Sequence, residues 1–557
     1  MTQYRWHFNH EGTVASFAQL QEVLLASRQT NLTDLQAKFE IESFQATDAG
    51  LDGGQVQTAV KRLMEARDTS QKILIFGDYD VDGNCATAIT WLGLAKAGFK
   101  QVRPFIPDRV KHGYGMSPLA LQEIFADDKP DLIVTVDNGI SARPALDYCR
   151  EQGVEVIVTD HHQPDDQGPL PVVATLQTTQ LCGAGVAWVL MYELFKAVHL
   201  ENSQDCAQNL LDLVTVATIV DQVPLVGVNR RLVRAGMEQL NQTKRAGLLA
   251  LMKAGGNKAG SISTHDIGFG LGPRINALGR LTTTLDALRL LCTGSPAYAA
   301  KLDKTLNDVN RTRQELTRDM LELAESQIDP DELAPILIVA HPDFHEGIIG
   351  LIAGHLAERY YRPAIALAVG GQVAKASARS IPGFNVTDFI RQFEADLLSV
   401  GGHALAAGFS VAREKLDDLR ERMVAAAGEK LAAADLVPTL QLEVAATPTA
   451  LTDCRLPVFL EQLEPCGAGN PPVQVAVVGS VADVRLMGSE QQHAKVSVTD
   501  QLGWQQPCLF WQYALKGKLP SIGERVMIAG ELQVSEWRSK KSTDLIAPAR
   551  KKVDTLG

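Results

Sequence analysis

Three carboxylates stand at alternate positions in Gly77-Asp78-Tyr79-Asp80-Val81-Asp82-Gly83, directly after the apolar run at 72–76. Like charges at this spacing repel, so the cluster calls for a cation. A calcium loop of the EF-hand type begins with the same alternation, but it needs a glutamate six residues after its glycine. Ile89 occupies that position within an apolar helical stretch, so that reading fails. A polar turn with solvated carboxylates stays open on this segment alone. The theme then recurs. A second apolar run, 131–136, ends in Asp137-Asn138-Gly139, and a third, 154–159, leads into Asp160-His161-His162. A lone histidine pair is more often structural than not; beside Asp137 it reads as metal-associated. Asp221 closes the apolar helical stretch 213–220, where a solitary acid could be only an exposed helix end. Together these residues supply five or six oxygen and imidazole ligands suited to Mn²⁺ or Mg²⁺. One such ion needs fewer once waters are counted. The set matches two ions about 3.5–4 Å apart, an arrangement used for phosphoester hydrolysis.

The elements that must position these groups follow from periodicity. Runs apolar on both faces, separated by helical segments such as 85–97 before Gly98, indicate an α/β domain with a parallel sheet covered on both sides. In such sheets ligands gather outside the carboxyl ends of the strands. From 299 to 328 the spacing is helical, with Leu302, Leu306, Val309, Leu316, Met320 and Leu323 at intervals of three and four, Arg313 in the seam, and Pro330 and Pro335 beyond. Such a helix is about 45 Å long and suits a spacer before a second α/β region, with strands at 335–340 and 364–369 and a helix at 348–360. After Pro438 short strands at 473–478, 493–498, 525–528 and 531–534 alternate with turns, the pattern of a small β-barrel. The expected division is 1–45, an N-terminal segment without a chemical motif; 46–295, the catalytic α/β domain; 296–330, the connecting helix; 331–438, the second α/β domain; and 439–557, the barrel.

Composition sets the outer bounds. A chain of 557 residues, 45% hydrophobic and 21% charged, is ordinary globular material for three or four domains. The net charge of −12 excludes a wholly basic nucleic-acid coat protein. It does not exclude a local basic groove. From Leu440 onward twelve basic and twelve acidic residues balance, so the whole deficit lies before it. Eight scattered cysteines without a C-x-x-C pair read as reduced core residues of a cytoplasmic protein. The N-terminus lacks an apolar signal core, and no apolar run reaches bilayer length.

The four acidic and histidine segments, in their order, resemble the signature of the DHH phosphoesterase superfamily. Gly401-Gly402-His403-Ala404-Leu405-Ala406-Ala407-Gly408 is similar to the glycine-histidine motif of its associated C-terminal domain. Within the superfamily the match points to the RecJ family of bacterial single-strand-specific 5′→3′ exonucleases. It is carried further by Gly272-Pro273-Arg274-Ile275-Asn276-Ala277-Leu278-Gly279-Arg280, His345-Glu346-Gly347-Ile348-Ile349-Gly350 and Gly467-Ala468-Gly469-Asn470-Pro471. The resemblance implies that Asp80, Asp82, Asp137, His161 and Asp221 hold two Mn²⁺ or Mg²⁺ ions, with Asp137 bridging, and that Asp78 stands where related enzymes differ. It implies that His162 contacts or protonates the phosphate and that His403 touches the scissile phosphate across a cleft. Arg109, Arg280, Ser377, Arg379 and Gly402 would bind the strand. The barrel resembles an OB-fold, and Trp504, Phe510, Trp511 and Trp537, with Arg538, Lys540 and Lys541, would stack bases and track phosphates. Trp504 and Trp511 could instead fill the barrel core. The implied partners are single-stranded DNA, a single-strand-binding protein and a RecQ-type helicase, with no membrane; the implied process is DNA recombination and repair. Two other functions share the metal core. A small-molecule phosphodiesterase would not need the segment after Leu440, and a scaffold would not need the acids, all of which are present.

Overall fold

The computed structural model describes residues 4–108, 111–113, 115–164, 168–281, 285–431, 436–513, 519–537 and 540–552. They fall into two compact units, Ala37–Glu315 with Pro465–Pro471, and Met1–Gln36 with Leu316–Glu464 and Pro472–Gly557.

The first unit is built on a five-stranded, all-parallel sheet in the order Val102–Phe105, Ile73–Phe76, Leu132–Val136, Glu155–Asp160, Ala174–Gln177. Side chains alternate across it. Ile73, Ile75, Leu132, Val134 and Ile157 enter one core, beneath the helices Gly53–Asp68, Val81–Lys96 and Gly183–Ala197. Leu74, Phe76, Ile133, Val156 and Val158 enter the other, beneath Pro118–Asp128 and Arg143–Glu151. Burial on both faces is why the three inner strands read as continuous apolar runs. The outer two lack such a run. Val102–Phe105 is only half-buried and carries Pro104, which an edge strand tolerates.

The helix expected at 85–97 begins earlier, at Val81. Asp80 caps it by accepting a hydrogen bond from the Gly83 N–H (3.0 Å). This puts Asp82 inside the first turn rather than in a preceding loop. The helix expected at 299–328 has the expected thirty residues but runs three positions earlier, Pro296–Glu325.

The second unit holds a five-stranded sheet in the order Leu397–His403, Ala406–Ala412, Val373–Arg379, Ala364–Ala368, Leu337–His341, with only the last pair parallel. It also holds the barrel. Gln474–Met487 pairs with both Arg525–Trp537 and His493–Thr499, and Gln505–Phe510 and Lys540–Lys552 complete the ring. The strands expected separately at 525–528 and 531–534 are one. A bulge at Gly530 shifts the register between Ala529 and Glu531, and a Cβ there would stand 2.2 Å from the Ile546 carbonyl oxygen.

The first residues pack onto this barrel, the first strand in a separate two-stranded sheet and the second at the edge beyond Gln474–Met487. Arg5–Phe8 runs parallel to Thr439–Leu442, and Thr13–Val14 runs parallel to Val444–Ala446. The helix Phe17–Ser27 sends Phe17, Leu20 and Leu24 into the core of Val475, Val477 and Val526. Glu443 accepts a hydrogen bond from Ser27 Oγ (2.6 Å) and pairs with Arg28. Among the described residues no helix is long and apolar enough to cross a membrane.

Candidate metal centre

Each acidic segment sits at the carboxyl end of a parallel strand or at a neighbouring helix end. After Ile73–Phe76 the chain folds back tightly. A Cβ on Gly83 would lie 2.5 Å from the Asp78 carbonyl oxygen, so only glycine fits. The Val81 N–H donates to Asn276 Oδ1 (3.2 Å), which fixes the turn from outside. Asp78 and Asp82 are buried and Asp80 is half-buried. Asp82 is held by a helix N-terminus. Its two oxygens accept from the Gly183 and Ala184 N–H groups, both at 2.7 Å.

Asp137 follows Leu132–Val136 in a left-handed conformation (φ 62°), a strained state for a non-glycine residue. Its N–H donates to the Thr159 carbonyl (3.0 Å). Gly183 presses against it, and a Cβ there would meet Asp137 Cβ at 2.5 Å. Asp137 Oδ1 is buried and receives no hydrogen bond. His161 Nε2 lies 3.3 Å from that oxygen, 3.5 Å from Asp221 Oδ2 and 3.7 Å from Asp82 Oδ2. Asp221 caps the C-terminus of the helix Leu211–Val220 and keeps its side chain 29% exposed. Three overlapping sets each bring ligand atoms within 4.8 Å of one another: Asp78, Asp80 and Asp137; Asp82, His161 and Asp221; and Asp137, His161 and His162. Asp137 belongs to two of them.

Asp160 has a different place. Oδ1 accepts from the His161 N–H (2.7 Å), the His162 N–H (3.0 Å) and His162 Nδ1 (2.8 Å), and Oδ2 accepts from the Ile140 N–H (2.9 Å). Its oxygens are engaged in orienting both histidines. Burial works against charge on His162, but Asp160, with Asp221 and Asp82 beyond it, outweighs this and raises its pKa to about 9. The acids move the opposite way to ordinary surface carboxylates. Burial, followed by the charges of Asp82, Asp80, Asp78 and Asp160, pushes Asp137 well above the carboxylate range. Burial, Asp82 and Asp80 push Asp221 to about 8. Burial and Asp82 raise Asp80. Oxygen atoms so crowded and so poorly solvated are stable either as acids or around cations. The buried, unbonded Oδ1 of Asp137 fits the second case. The residues present therefore suit hard divalent cations.

Other predicted positions lie apart from this cluster in the chain. Arg280 is on the helix Gly272–Leu281, whose Asn276 touches the Asp80–Asp82 turn. Ser377 and Arg379 are on Val373–Arg379. A Cβ on Gly350 of the helix Ile349–Tyr360 would come 3.1 Å from Ser377 Oγ and 3.4 Å from Arg379 Nη2. Gly402 (φ 147°) and the exposed His403 end Leu397–His403, and the His403 carbonyl accepts from Thr387 Oγ1 (2.6 Å). Arg109 and Arg538 lie outside the described residues, as does the side chain of Trp537. In the barrel Phe510 is core. Trp504 and Trp511 are exposed, so the core reading of those two fails. Lys541 pairs with Glu461. Sequence reasoning missed Gly183 altogether; it met Asp160 before the histidine pair and Asn276 within the 272–280 motif, but gave neither a supporting role.

Comparison with known proteins accords with this geometry. Residues 72–218 match the DHH family, N-terminal domain; 334–429 match the DHHA1 domain; and 449–548 match the RecJ OB domain. The single-stranded-DNA-specific exonuclease RecJ of Dickeya dadantii is 32% identical over 534 residues, covering 88% of this chain and 90% of that protein. The chain belongs to the RecJ family. The RecJ of Bacillus subtilis is 33% identical over 508 residues; the match covers 88% of this chain but 62% of that longer protein. The crystal structure of RecJ from Thermus thermophilus in complex with Mn²⁺ matches with a TM-score of 0.81 and 29% identity, over 99% of this chain and 80% of that one. Family membership explains why three domains of unrelated shape occur in one chain.

Proposed function

We propose that the chain is a divalent-metal-dependent exonuclease that hydrolyses phosphodiester bonds of single-stranded DNA from the 5′ end. One observation carries the reading: three overlapping carboxylate and histidine sets, two of them joined through the buried, unbonded Asp137, in a member of the RecJ family. Asp78, Asp80, Asp82, Asp137, His161 and Asp221 would hold two Mn²⁺ or Mg²⁺ ions, Asp137 shared between them. Bound there, the ions supply a water made nucleophilic at neutral pH and offset charge on the phosphate oxygens. His162, kept charged by Asp160, faces the phosphate and stabilises its developing negative charge. The Gly183 and Ala184 N–H groups fix Asp82 so that the acids need no rearrangement during turnover. Ser377, Arg379, Gly402, His403, Arg280 and Arg109 are assigned to strand binding on the family resemblance. Recruitment by a single-strand-binding protein and a RecQ-type helicase, and a place in recombination and repair, rest on the same resemblance.

The test is digestion of single strands labelled at the 5′ or the 3′ end, with Mn²⁺, Mg²⁺ or a chelator. The 5′ label should leave first as mononucleotide, only with metal, and blunt duplex should resist. Early loss of the 3′ label, or full activity in chelator, would overturn the reading.

A further inference from the structure

The segment His265–Leu271 lies between Asp221 and Arg280 in the chain and is assigned no ligand of the metal centre. It is a single wide turn of π-helix, Asp266–Leu271, feeding into Gly272–Leu281. Such turns are rare and recur at functional sites. This one is firmly anchored from below: Ile267 and Leu271 are fully buried. Asp266 accepts hydrogen bonds from Asn257 Nδ2 (2.6 Å) and from the Ser263 N–H (2.9 Å) and Oγ (2.7 Å). On the opposite side Phe269 is 75% exposed between two glycines, Gly268 and Gly270. The His265 ring lies stacked on it, with centroids 4.7 Å apart and planes at 28°. A pair of stacked rings held exposed on a tethered support offers a flat apolar face that the ring of a ligand can cover.

The position says what that is. Three residues on, Gly272 packs so closely on the helix bearing Asp221 that a Cβ would come 2.6 Å from Val220 Cγ2. One turn further, Asn276 holds the Val81 N–H in the Asp80–Asp82 turn. The stacked pair is thus part of the same rigid segment that buttresses the metal centre from two sides. We infer that His265 and Phe269 form a stacking platform for a nucleobase of the substrate strand, a few nucleotides from the reacting phosphate. The inference rests on the single-strand reading of the site. Single-strand binders use such rings because every base has a π-face, which gives grip without sequence preference. His265 takes one face of the Phe269 ring, the ring itself is 75% exposed, and a Cβ at neighbouring Gly268 would meet no other atom within 4 Å.

The test uses Phe269→Ala and Phe269→Trp in the full chain. Binding of a labelled single-stranded 12-mer is read by fluorescence anisotropy in chelator, where no cleavage occurs. A single abasic nucleotide is moved along the 12-mer, and cleavage of a dinucleotide is followed with Mn²⁺. Phe269→Ala should weaken 12-mer binding about tenfold, within the range for losing one stacked base, and Phe269→Trp should restore it. One abasic position should weaken wild type by a similar factor and leave Phe269→Ala no weaker than before. Dinucleotide cleavage should not change. Wild-type affinity in Phe269→Ala, or equal abasic losses in both proteins at every position, would overturn the platform. A matching loss on the dinucleotide would also overturn it, showing damage to the metal centre. Failure of the parent reading looks different: wild type would cleave no single strand with any metal.

Discussion

At the scale of residues, the centre is an assembly of charges that the protein alone cannot stabilise. Asp137→Ala should keep the fold yet lose more than about nine-tenths of the hydrolytic rate, since one decade corresponds to ~1.4 kcal/mol of barrier. Initial rates on a labelled single strand, with circular dichroism as the folding control, check this. The same charges set a pH dependence in the metal-free protein. Asp221 rises from an ordinary 3.8 to about 8 on folding. Between those values the unfolded chain sheds a proton that the folded chain retains, so this group's stabilisation is complete below about pH 4 and is lost as the pH climbs towards 8. Thermal unfolding in chelator should therefore show a midpoint that falls across that window. Added Mn²⁺ should reverse the fall, because the cation takes the proton's place. A midpoint flat in pH and indifferent to metal would contradict the charge balance drawn here.

At the scale of elements, the acids depend on how closely backbones approach. Gly183→Ala would drive a methyl into Asp137 and displace the helix N-terminus that holds Asp82. It should cost about 1–3 kcal/mol, the usual penalty for overpacking, and should weaken Mn²⁺ binding. Urea unfolding and calorimetric titration measure the two effects. This scale also shows what the sequence made readable. The three inner strands and their terminal Asp137 and Asp160 were legible because burial on both faces demands unbroken apolar runs. The outer strand Val102–Phe105 was not, since a half-buried edge accepts Pro104 and Arg103. The start of the helix at Val81 was missed although Asp80 is a favoured N-cap and Asp82 suits a first turn, because the three acids were read together as one ligand-bearing loop. Asn276 and Gly183 were illegible for a different reason. Asn276 acts on Val81, 195 positions away, and Gly183 on Asp82, 101 positions away, and nothing local distinguishes an asparagine that accepts a remote N–H from one facing water.

At the scale of the whole molecule, the N-terminal segment belongs energetically to the barrel. Val14, Phe17, Leu20, Leu24 and Leu35 are all buried in its core. At roughly 1.5–3 kcal/mol each they are worth as much as the 5–15 kcal/mol that typically holds a protein folded. Deleting residues 1–36 should therefore unfold the barrel rather than trim it, and should leave the Ala37–Glu315 unit intact. Limited proteolysis should then cut first after Pro438, while the 37–315 fragment resists. For the same reason removal of everything beyond Leu440 would strand an apolar helix at the other end of the chain. Trp504→Ala with Trp511→Ala is the cleaner probe of the barrel in DNA binding, because both rings are exposed. The pair should weaken long strands more than short ones.

The partnership of Arg28 with Glu443 has a consequence in time. The two residues are 415 positions apart. At roughly 5–20 residues per second of synthesis, the helix Phe17–Ser27 emerges from the ribosome about 20–80 s before the strands that cover it exist. Meanwhile residues 37–315, all of the first unit but Pro465–Pro471, are made. The newborn chain thus carries an uncovered apolar helix until the strands beyond residue 440 that share its core are made. A ribosome that stalls before residue 440 leaves Phe17, Leu20 and Leu24 without that core.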